Sequence, residues 1–359
     1  MTTSDRNFES LRKSFTDGRL IPFVGAGFSM VDPKLPGWLG FLGKLRARLS
    51  ASDRAIFDKL GKLEKAEFVR CRNGKKGDGL IADITKKILR HHPKNPTALA
   101  AHKILVNHFD RIYTTNYDRY FETVARILTP KVKVHSIPPL GGMSPRPLEA
   151  YIQRNKTSNR VECPKKGEKP KACRIVKYHG DYRVAGSLVL TETSYFKRLL
   201  DVDAKDILFS ADALHFDFLF LGYGFDDLSL KFTLQQLDRI FETLGNSSKR
   251  GAFYILRTDE GPKADFQNIA YNLSPIDFTE ALDGKPICYA RGKSCLRSFH
   301  PHKPRPRCRC RASHVFRDFS VLWKAAEEPV HSPTRTAAVS LRARVLMQGF
   351  TAFLEKLVA

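Results

Sequence analysis

The sequence contains no apolar run of the about 18 residues that a membrane-spanning helix requires, although 42% of its 359 residues are hydrophobic. Its first residues, Met1 to Asn7, are polar and lack the apolar stretch of a signal peptide. Seven cysteines, an odd number, favour reduced thiols over a disulfide framework. We therefore expect a soluble, cytoplasmic protein with at least one large hydrophobic core.

Acidic residues are scarce: 37 Asp and Glu stand against 61 Lys and Arg, which gives a formal net charge of +24. Such a positive field attracts polyanions, including DNA, RNA and acidic protein partners. A solvated basic surface that only keeps the protein soluble explains a smaller excess more easily. Charge predicts electrostatic attraction but does not identify a binding site.

Strand-like and helix-like segments alternate along the chain up to about residue 275. The apolar, strand-like runs are Leu20–Val24, Arg111–Thr115, Ile175–Tyr178, Phe216–Leu221 and Ala252–Leu256. Helical spacing is seen at Phe8–Asp17 and Tyr120–Leu128, among other segments. This alternation predicts an α/β fold with a Rossmann-like, doubly wound parallel sheet. Ligands of such sheets bind beyond the carboxyl ends of the strands, so we expect the turns there to meet in one crevice.

Three other stretches depart from this alternation. Residues 36–109 show helical spacing and predict a helical insertion, whereas residues 135–174 are rich in Pro, Gly, Lys and Arg and predict a basic surface loop. Residues 276–359 predict a basic, irregular segment in which 285–317 is loop-like. That segment ends in a helix with an apolar stripe from Val339 to Leu357, suited to docking on the body of the protein or on a partner.

Four short motifs follow predicted strands and carry groups suited to binding a nucleotide. They are Gly-Ala-Gly-Phe-Ser at 25–29, Thr-Thr-Asn-Tyr-Asp at 114–118, Tyr-His-Gly-Asp at 178–181 and Leu-Gly-Tyr-Gly-Phe-Asp-Asp at 221–227. A glycine turn lets backbone N–H groups approach an anion, and His179 offers a titratable imidazole that Asp181 could orient. Each motif alone is better explained by a tight turn, a helix cap or a structural histidine.

As an ordered set, the four motifs resemble the Sir2-like domains, especially those of bacterial antiviral defence proteins. The resemblance covers about residues 15 to 275, within a predicted NAD-binding domain at residues 8–275. It implies that Asn116 contacts the nicotinamide ribose and helps to place a water, and that His179 acts as a base or ribose contact. The other pocket residues that it implies are Gly25, Ala26, Gly27, Phe28, Ser29, Thr115 and Asp118, with Gly222 and Tyr223 on the adenosine side.

The reaction that the resemblance implies suits these residue types. Nicotinamide leaves a cationic glycoside as a neutral molecule through an oxocarbenium-like transition state. The protein therefore has to hold the ribose and supply a nucleophile, and no metal is required. Deacylating sirtuins carry paired Cys-x-x-Cys zinc motifs after the His-Gly, whereas this sequence has none and its Cys163 and Cys173 precede His179. We therefore expect an NAD glycohydrolase that uses NAD as its substrate and releases nicotinamide and ADP-ribose. Cyclic ADP-ribose stays open as a product, and protein deacetylation is a less favoured alternative.

The resemblance also implies a setting: anti-phage defence by NAD depletion, in a homo-oligomer activated with a HerA-type ATPase or an Argonaute-like partner. An alternative from a different class is a nucleic-acid-binding or nuclease subunit that uses NAD as a ligand, because arginines crowd residues 291–311. The sequence shows no clustered carboxylates of the kind a two-metal nuclease needs, which favours binding over cutting.

Four late cysteines raise the question of a zinc site in the same basic segment. Cys288, Cys295, Cys308 and Cys310 occur near His300, His302 and His314. Their spacings match no common zinc finger, and the neighbouring arginines oppose a cation. We favour unpaired thiols and expect no metal.

Overall fold

A computed structural model describes residues 3–29, 35–89, 99–127, 133–137, 172–182, 187–200, 204–225, 227–243, 251–256, 273–277, 287–290, 293–294, 315–316 and 349–359. Within these ranges, no helix combines the length and the apolar character needed to cross a membrane.

A seven-stranded sheet organises the chain. Its strands are β1 (Leu20–Val24), β2 (Arg111–Thr114), β3 (Lys133–Ile137), β4 (Ala172–Lys177), β5 (Asp217–Leu221), β6 (Ala252–Leu256) and β7 (Leu273–Asp277). Their order is β3-β4-β2-β1-β5-β6-β7, and every neighbouring pair is parallel. The predicted Rossmann-like parallel sheet is therefore confirmed.

The two edge strands, β3 and β7, are absent from the sequence prediction. The expectation of a loop at 135–174 is wrong at both ends of that stretch, because β3 covers 133–137 and pairs with β4, which begins at Ala172. Both missed strands are short and mix polar with apolar residues, and β7 contains Pro275. Edge strands tolerate such sequences because one side of their backbone needs no partner strand, so the apolar signal is weak there.

Helices surround the sheet. They are α1 (Thr3–Thr16), α2 (Ala26–Ser29), α3 (Trp38–Arg46), α4 (Ala51–Lys59), α5 (Lys62–Arg72), α6 (Gly77–Leu89), α7 (Ala100–His108), α8 (Tyr120–Ile127), α9 (Glu192–Leu200), α10 (Ala204–His215) and α11 (Leu228–Thr243), with a 3-10 turn at Gly74–Lys76. Residues 349–358 form a further helical segment.

Alternate residues of the central strands enter two separate cores. On β1, Leu20 and Val24 pack on one face of the sheet with residues of α1, α7 and α8. Ile21 and Phe23 pack on the other face with residues of α10 and α11. Both faces of the parallel sheet are thus covered by helices, as its continuous apolar strands require.

The region predicted as a helical insertion divides into two parts. Residues from α3 to α6 build a core of their own, which includes Phe41, Leu45, Phe57 and Val69. The buried residues of α7 instead join the core on one face of the main sheet. The separate helical unit is therefore α3 to α6, and α7 is part of the sheet's own packing.

The C-terminal helical segment docks on the body of the protein. Its Phe350, Phe353, Leu354 and Leu357 are buried in the core that also contains α1 and α7. The ring of Phe350 lies 5.0 Å from that of Phe28. Of the two predicted docking surfaces, the body is the one that the structure shows, while residues 339–348 lie outside the described residues.

A second, small sheet occupies part of the segment that was predicted to be irregular. It consists of β8 (Ile287–Ala290), β9 (Lys293–Ser294) and β10 (Val315–Phe316), in the antiparallel order β10-β8-β9. The loop prediction for 285–317 is therefore wrong at these strands. The remaining cysteines, histidines and arginines of that stretch, on which the zinc and nucleic-acid predictions depend, lie outside the described residues.

Candidate active site

Four neighbouring strands end in one row, and each is followed by one of the four motifs. Val24 of β1 is in register with Thr114 of β2 and with Leu221 of β5, and Thr114 is in register with Lys177 of β4. Asn116 and His179 therefore each stand two residues beyond a paired position on adjacent strands. The register brings the motif turns to the same edge of the sheet, where parallel α/β sheets bind ligands.

The turns after β1 and β5 interlock through glycine. The amide of Gly25 donates to the carbonyl of Leu221 at 2.9 Å, and the amide of Gly27 donates to that of Gly222 at 2.9 Å. Gly222 has a φ of +61°, and a Cβ there would stand 2.2 Å from the amide nitrogen of Phe28. These glycines permit contact between two turns of the protein, and Ala26 is the exposed residue between them.

Phe28 and Ser29 complete the first turn and face different surroundings. The Phe28 side chain is fully buried, with its ring 4.7 Å from that of His102, so only its backbone can reach a ligand. The Ser29 hydroxyl lies at the site itself, where it accepts a hydrogen bond from Nδ2 of Asn116 at 2.9 Å. Of these two predicted binding residues, Ser29 is the one whose side chain joins the polar network.

Asn116 is held so that only its oxygen is available. Its Nδ2 donates to the carbonyl of Gly25 at 3.0 Å and to Ser29 Oγ. A carbonyl can only accept, so it fixes which end of the amide is nitrogen. Oδ1 is then buried without a partner in the structure. Asn116 consequently presents a hydrogen-bond acceptor, suited to a ribose hydroxyl or a water.

Asp118 and Thr115 support the turn that carries Asn116. The Thr115 amide donates to the carbonyl of Val24 at 3.2 Å, while Asp118 accepts from the amide of Tyr120 at 3.0 Å and thereby caps α8. Burial raises the pKa of Asp118, and hydrogen bonds from Ser29 and Tyr120, together with the positive charge of Lys177, only partly oppose this. Asp118 is thus a buried acid linked through Ser29 to Asn116.

A buried lysine that the sequence alone does not single out lies under this turn. Lys177, the last residue of β4, is 1% exposed; its Nζ donates to the carbonyl of Asp118 and stands 3.7 Å from the Glu122 carboxylate. Its ammonium group therefore ties β4 to the turn after β2. A lysine at the end of a strand is usually exposed, so no sequence pattern indicates that Lys177 is buried.

His179 pairs with an aspartate from a different turn. Nε2 of His179 lies 2.6 Å from Oδ2 of Asp227, and both side chains are at most 7% exposed. The contact is not aligned along a hydrogen-bond direction. Burial alone would raise the pKa of Asp227, but its contact with His179 and hydrogen bonds from Ser229 and Leu230 hold that pKa well below its usual range.

Asp181, the orienting residue that the sequence suggested for His179, has other partners. Its carboxylate lies 3.2 Å from the Arg119 guanidinium, and its backbone amide donates to Ser187 Oγ. Asp227 is the aspartate that contacts the imidazole, because the turn after β5 reaches the residues that follow β4. Asp227 belongs to the motif at 221–227, but it is far from His179 in the sequence, so no local pattern predicts their contact.

Two buried cations hold the backbone next to His179. The carbonyl of Tyr178 accepts from Arg198 at 2.5 Å and from Lys205 at 3.3 Å. The Arg198 guanidinium also lies 3.9 Å above the Tyr178 ring. Arg198 is itself anchored by Asp206 at 2.5 Å. The imidazole of His179 is therefore carried by a firmly held strand end.

Tyrosines enclose the His179–Asp227 pair. The Tyr195 ring stands 5.5 Å from the imidazole in an edge-on arrangement, and the Tyr117 hydroxyl donates to the carbonyl of Val189 at 2.6 Å. Burial raises the pKa of Tyr117, Tyr195 and Tyr223, and the negative charge of Asp227 raises each further. The pair thus lies in a dry, aromatic environment, in which the charge of the Asp227 carboxylate acts strongly on the imidazole beside it.

The turn that delivers Asp227 has an uncommon backbone. Besides Gly222, Phe225 lies in the left-handed region with a φ of +53°, which bulky residues seldom adopt. Its buried ring packs 4.8 Å from Phe220 and 5.1 Å from Tyr223. Such conformations persist where packing enforces them and concentrate at functional sites. Asp226 of this turn lies outside the described residues.

Part of the chain matches a known family model. Residues 110–276 match the model of the SIR2-like domain, a stretch that runs from the residue before β2 almost to the end of β7. It contains the motifs of Asn116, His179 and Gly222, while the glycine turn at 25–29 precedes it on the adjacent strand β1. No curated protein matches the chain. No cluster of three or more metal-ligating side chains occurs within the described ranges.

Proposed function

We propose that this chain, in which residues 110–276 form a SIR2-like domain, binds NAD and hydrolyses its nicotinamide–ribose bond. The observation that carries the proposal is the Oδ1 atom of Asn116, a buried acceptor without a partner at the end of β2. A buried polar atom left without a partner is costly. A ribose hydroxyl or an ordered water would satisfy it.

The same edge of the sheet supplies a proton acceptor. As the C1′–N bond breaks, its electron pair passes to the pyridinium nitrogen, so nicotinamide leaves uncharged. A water oxygen forms the new bond to C1′, and His179 takes the proton that this water loses. The products are nicotinamide and ADP-ribose, and the imidazolium later returns its proton to solvent. Attack by a group of the same ADP-ribosyl unit would give the cyclic product instead.

Two backbone amides of the glycine turn are not available to the pyrophosphate. Because the amides of Gly25 and Gly27 already donate to carbonyls of the β5 turn, they are engaged by the protein itself. The exposed residue Ala26 is therefore where we place the closest approach of the diphosphate. Gly222 and Tyr223 lie against this turn, and we assign them to the adenosine side of the pocket.

Nicotinamide release from NAD tests the proposal. We expect Asn116→Ala and His179→Ala to slow release at least about 10²-fold, because each removes a group needed in the transition state. The matched control is Asn73→Ala, since Asn73 donates to Val69 in the helical insertion, away from the motif turns. If wild type, alone or with an activating partner, releases nicotinamide no faster than both site variants, the proposal is wrong.

We further propose that this hydrolysis serves antiviral defence through NAD depletion, in a homo-oligomer that a HerA-type ATPase or an Argonaute-like protein activates. Unrestrained loss of NAD would harm the host cell, so an enzyme of this kind requires control. Cells that express the chain with its partner should lose NAD after phage infection, whereas cells with Asn116→Ala should keep it. Equal NAD levels in the two strains would contradict this role.

A nucleic-acid-binding subunit with NAD as a ligand is the second candidate, favoured by the net charge of +24. Its affinity for DNA or RNA should fall steeply with salt concentration, because binding releases condensed counterions. Deletion of residues 285–317 should weaken it. Binding that is absent, or that ignores salt, would exclude this candidate.

A further inference from the structure

The two oxygens of the Asp227 carboxylate make different contacts. Oδ1 caps the start of α11: it accepts from the Ser229 amide at 2.9 Å, the Ser229 hydroxyl at 2.7 Å and the Leu230 amide at 3.2 Å. Oδ2 takes no part in the cap and lies 2.6 Å from Nε2 of His179. A helix cap needs only one acceptor atom, so the second oxygen is placed for the imidazole.

The surroundings of the pair make this contact strong. Two aromatic rings lie beside His179: that of Tyr195 on α9 and that of Tyr178, the residue after β4. Tyr117 and Tyr223 face the Asp227 carboxylate, and the charge of Arg198 acts on it from α9. Water is largely excluded from both members of the pair, so the charge of the Asp227 carboxylate is screened little.

From this geometry we propose that Asp227 is a positioning residue for His179, one that fixes the imidazole through Nε2 and leaves Nδ1 to accept the proton. The inference rests on the proposed NAD hydrolysis, since that reaction supplies the proton. In the step itself, water loses a proton to Nδ1 as its oxygen bonds to C1′, and the glycosidic electron pair leaves with nicotinamide. Asp227 stays ionised throughout and stabilises the imidazolium that forms.

The contact between Nε2 of His179 and Oδ2 of Asp227 is close but not aligned as a hydrogen bond. A small change in the angle of the imidazole would align it. The cap at Oδ1 keeps the carboxylate in place during such a change, so a rotation of the imidazole is enough. The helix that begins after Asp227 thereby contributes to the chemistry without touching the substrate.

The test uses Asp227→Asn, which removes the charge but retains a good helix-capping side chain. Nitrogen-15 NMR of the full chain reports which ring nitrogen of His179 carries the proton. We expect the Nε2–H tautomer in wild type and a substantial Nδ1–H fraction in the variant. We also expect kcat for nicotinamide release to fall about 10²–10⁴-fold, with KM changed much less.

Asp181→Asn is the matched comparison, because it makes the same chemical change at a buried aspartate close to His179 in sequence, which pairs instead with Arg119. It should leave the His179 tautomer as in wild type. Asp227→Ser, which also caps a helix, serves if Asp227→Asn fails to fold. A thermal melt of each variant separates loss of the fold from loss of the pair.

The outcomes distinguish this inference from the proposed function. A tautomer that is unchanged in both Asp227 variants overturns the positioning role, whatever the rate of NAD cleavage. A kcat that stays within threefold of wild type in Asp227→Asn also overturns it. If the tautomer shifts as expected but wild type releases no nicotinamide, the pairing stands and the proposed NAD hydrolysis is wrong.

Discussion

Two buried histidines of this chain have opposite surroundings. His102 on α7 is fully buried among the rings of Phe28, Tyr120 and Phe121, and neither of its ring nitrogens has a hydrogen-bond partner in the structure. His179 is nearly as buried but stands 2.6 Å from a carboxylate oxygen. The first lies behind the glycine turn, and the second lies at the end of β4.

The comparison shows that two buried histidines can differ in whether a charged group contacts the ring. Burial, with a smaller contribution from the charge of Lys177, lowers the pKa of His102 to about 3, so this ring is neutral and serves as an aromatic packing element. At His179 the protein supplies an anion from a distant turn. The difference between the two regions lies in Asp227, not in depth below the surface.

The largest effect should come from exchanging the two histidines for leucine in turn. His179→Leu should reduce NAD cleavage about 10²–10⁴-fold, the usual contribution of a general base. His102→Leu should stay within about threefold of wild type, because an apolar side chain suits an aromatic cluster. Initial rates of nicotinamide release measure both. Similar losses in the two variants would contradict the distinction.

A second variant removes the cation that lies close to both regions. Lys177→Met leaves the Asp118 carbonyl without its ammonium partner, while the buried Glu122 carboxylate keeps Arg119 at 3.7 Å, so we expect the free energy of unfolding to fall by about 1–3 kcal/mol. Lys103→Met is the control, because Lys103 is exposed on α7 and should change stability by less than about 0.5 kcal/mol. Urea denaturation followed by circular dichroism gives both values, and a loss at Lys177 no larger than at Lys103 would refute the role of this cation.

A third variant tests the contact that joins the two regions. Gly222, in the turn that carries Asp227, lies against Phe28, whose ring packs on His102. Gly222→Ala should cost at least about 2 kcal/mol, because the residue needs a positive φ and has no room for a Cβ. Gly224→Ala, two residues on, meets open space and should be nearly neutral. Equal melting temperatures for the two variants would argue against the interlocked turns.

A further prediction concerns the pH dependence of stability. Below its ordinary pKa of 6.5, His102 takes up a proton in the unfolded chain but not in the folded one until about pH 3. Acid therefore favours unfolding, and the free energy of unfolding should rise with pH across this window by up to about 1.4 kcal/mol per pH unit. His102→Leu should flatten that slope, whereas the exposed His215→Leu should not. An unchanged slope in His102→Leu would show that this ring is not the cause.

The sequence predicts the central strands and the positions of the motifs well, because buried parallel strands are continuous apolar runs. It also places Asn116 and His179 just beyond the ends of strands, and the structure shows that these strands, β2 and β4, are neighbours. The edge strands β3 and β7 escape prediction because their few residues mix polar and apolar types. Lys177 and Asp227 escape for another reason: their partners come from other strands or turns, and no local pattern encodes such contacts.

The most direct test of NAD cleavage at this site is a crystal structure of His179→Ala soaked with NAD. We expect intact NAD with a nicotinamide-ribose hydroxyl, or a water beside C1′, within hydrogen-bond distance of Asn116 Oδ1, and with the diphosphate next to Ala26. NAD bound elsewhere, or a fully soaked crystal in which Asn116 Oδ1 remains without a partner, would contradict the assignment of this edge of the sheet as the active site.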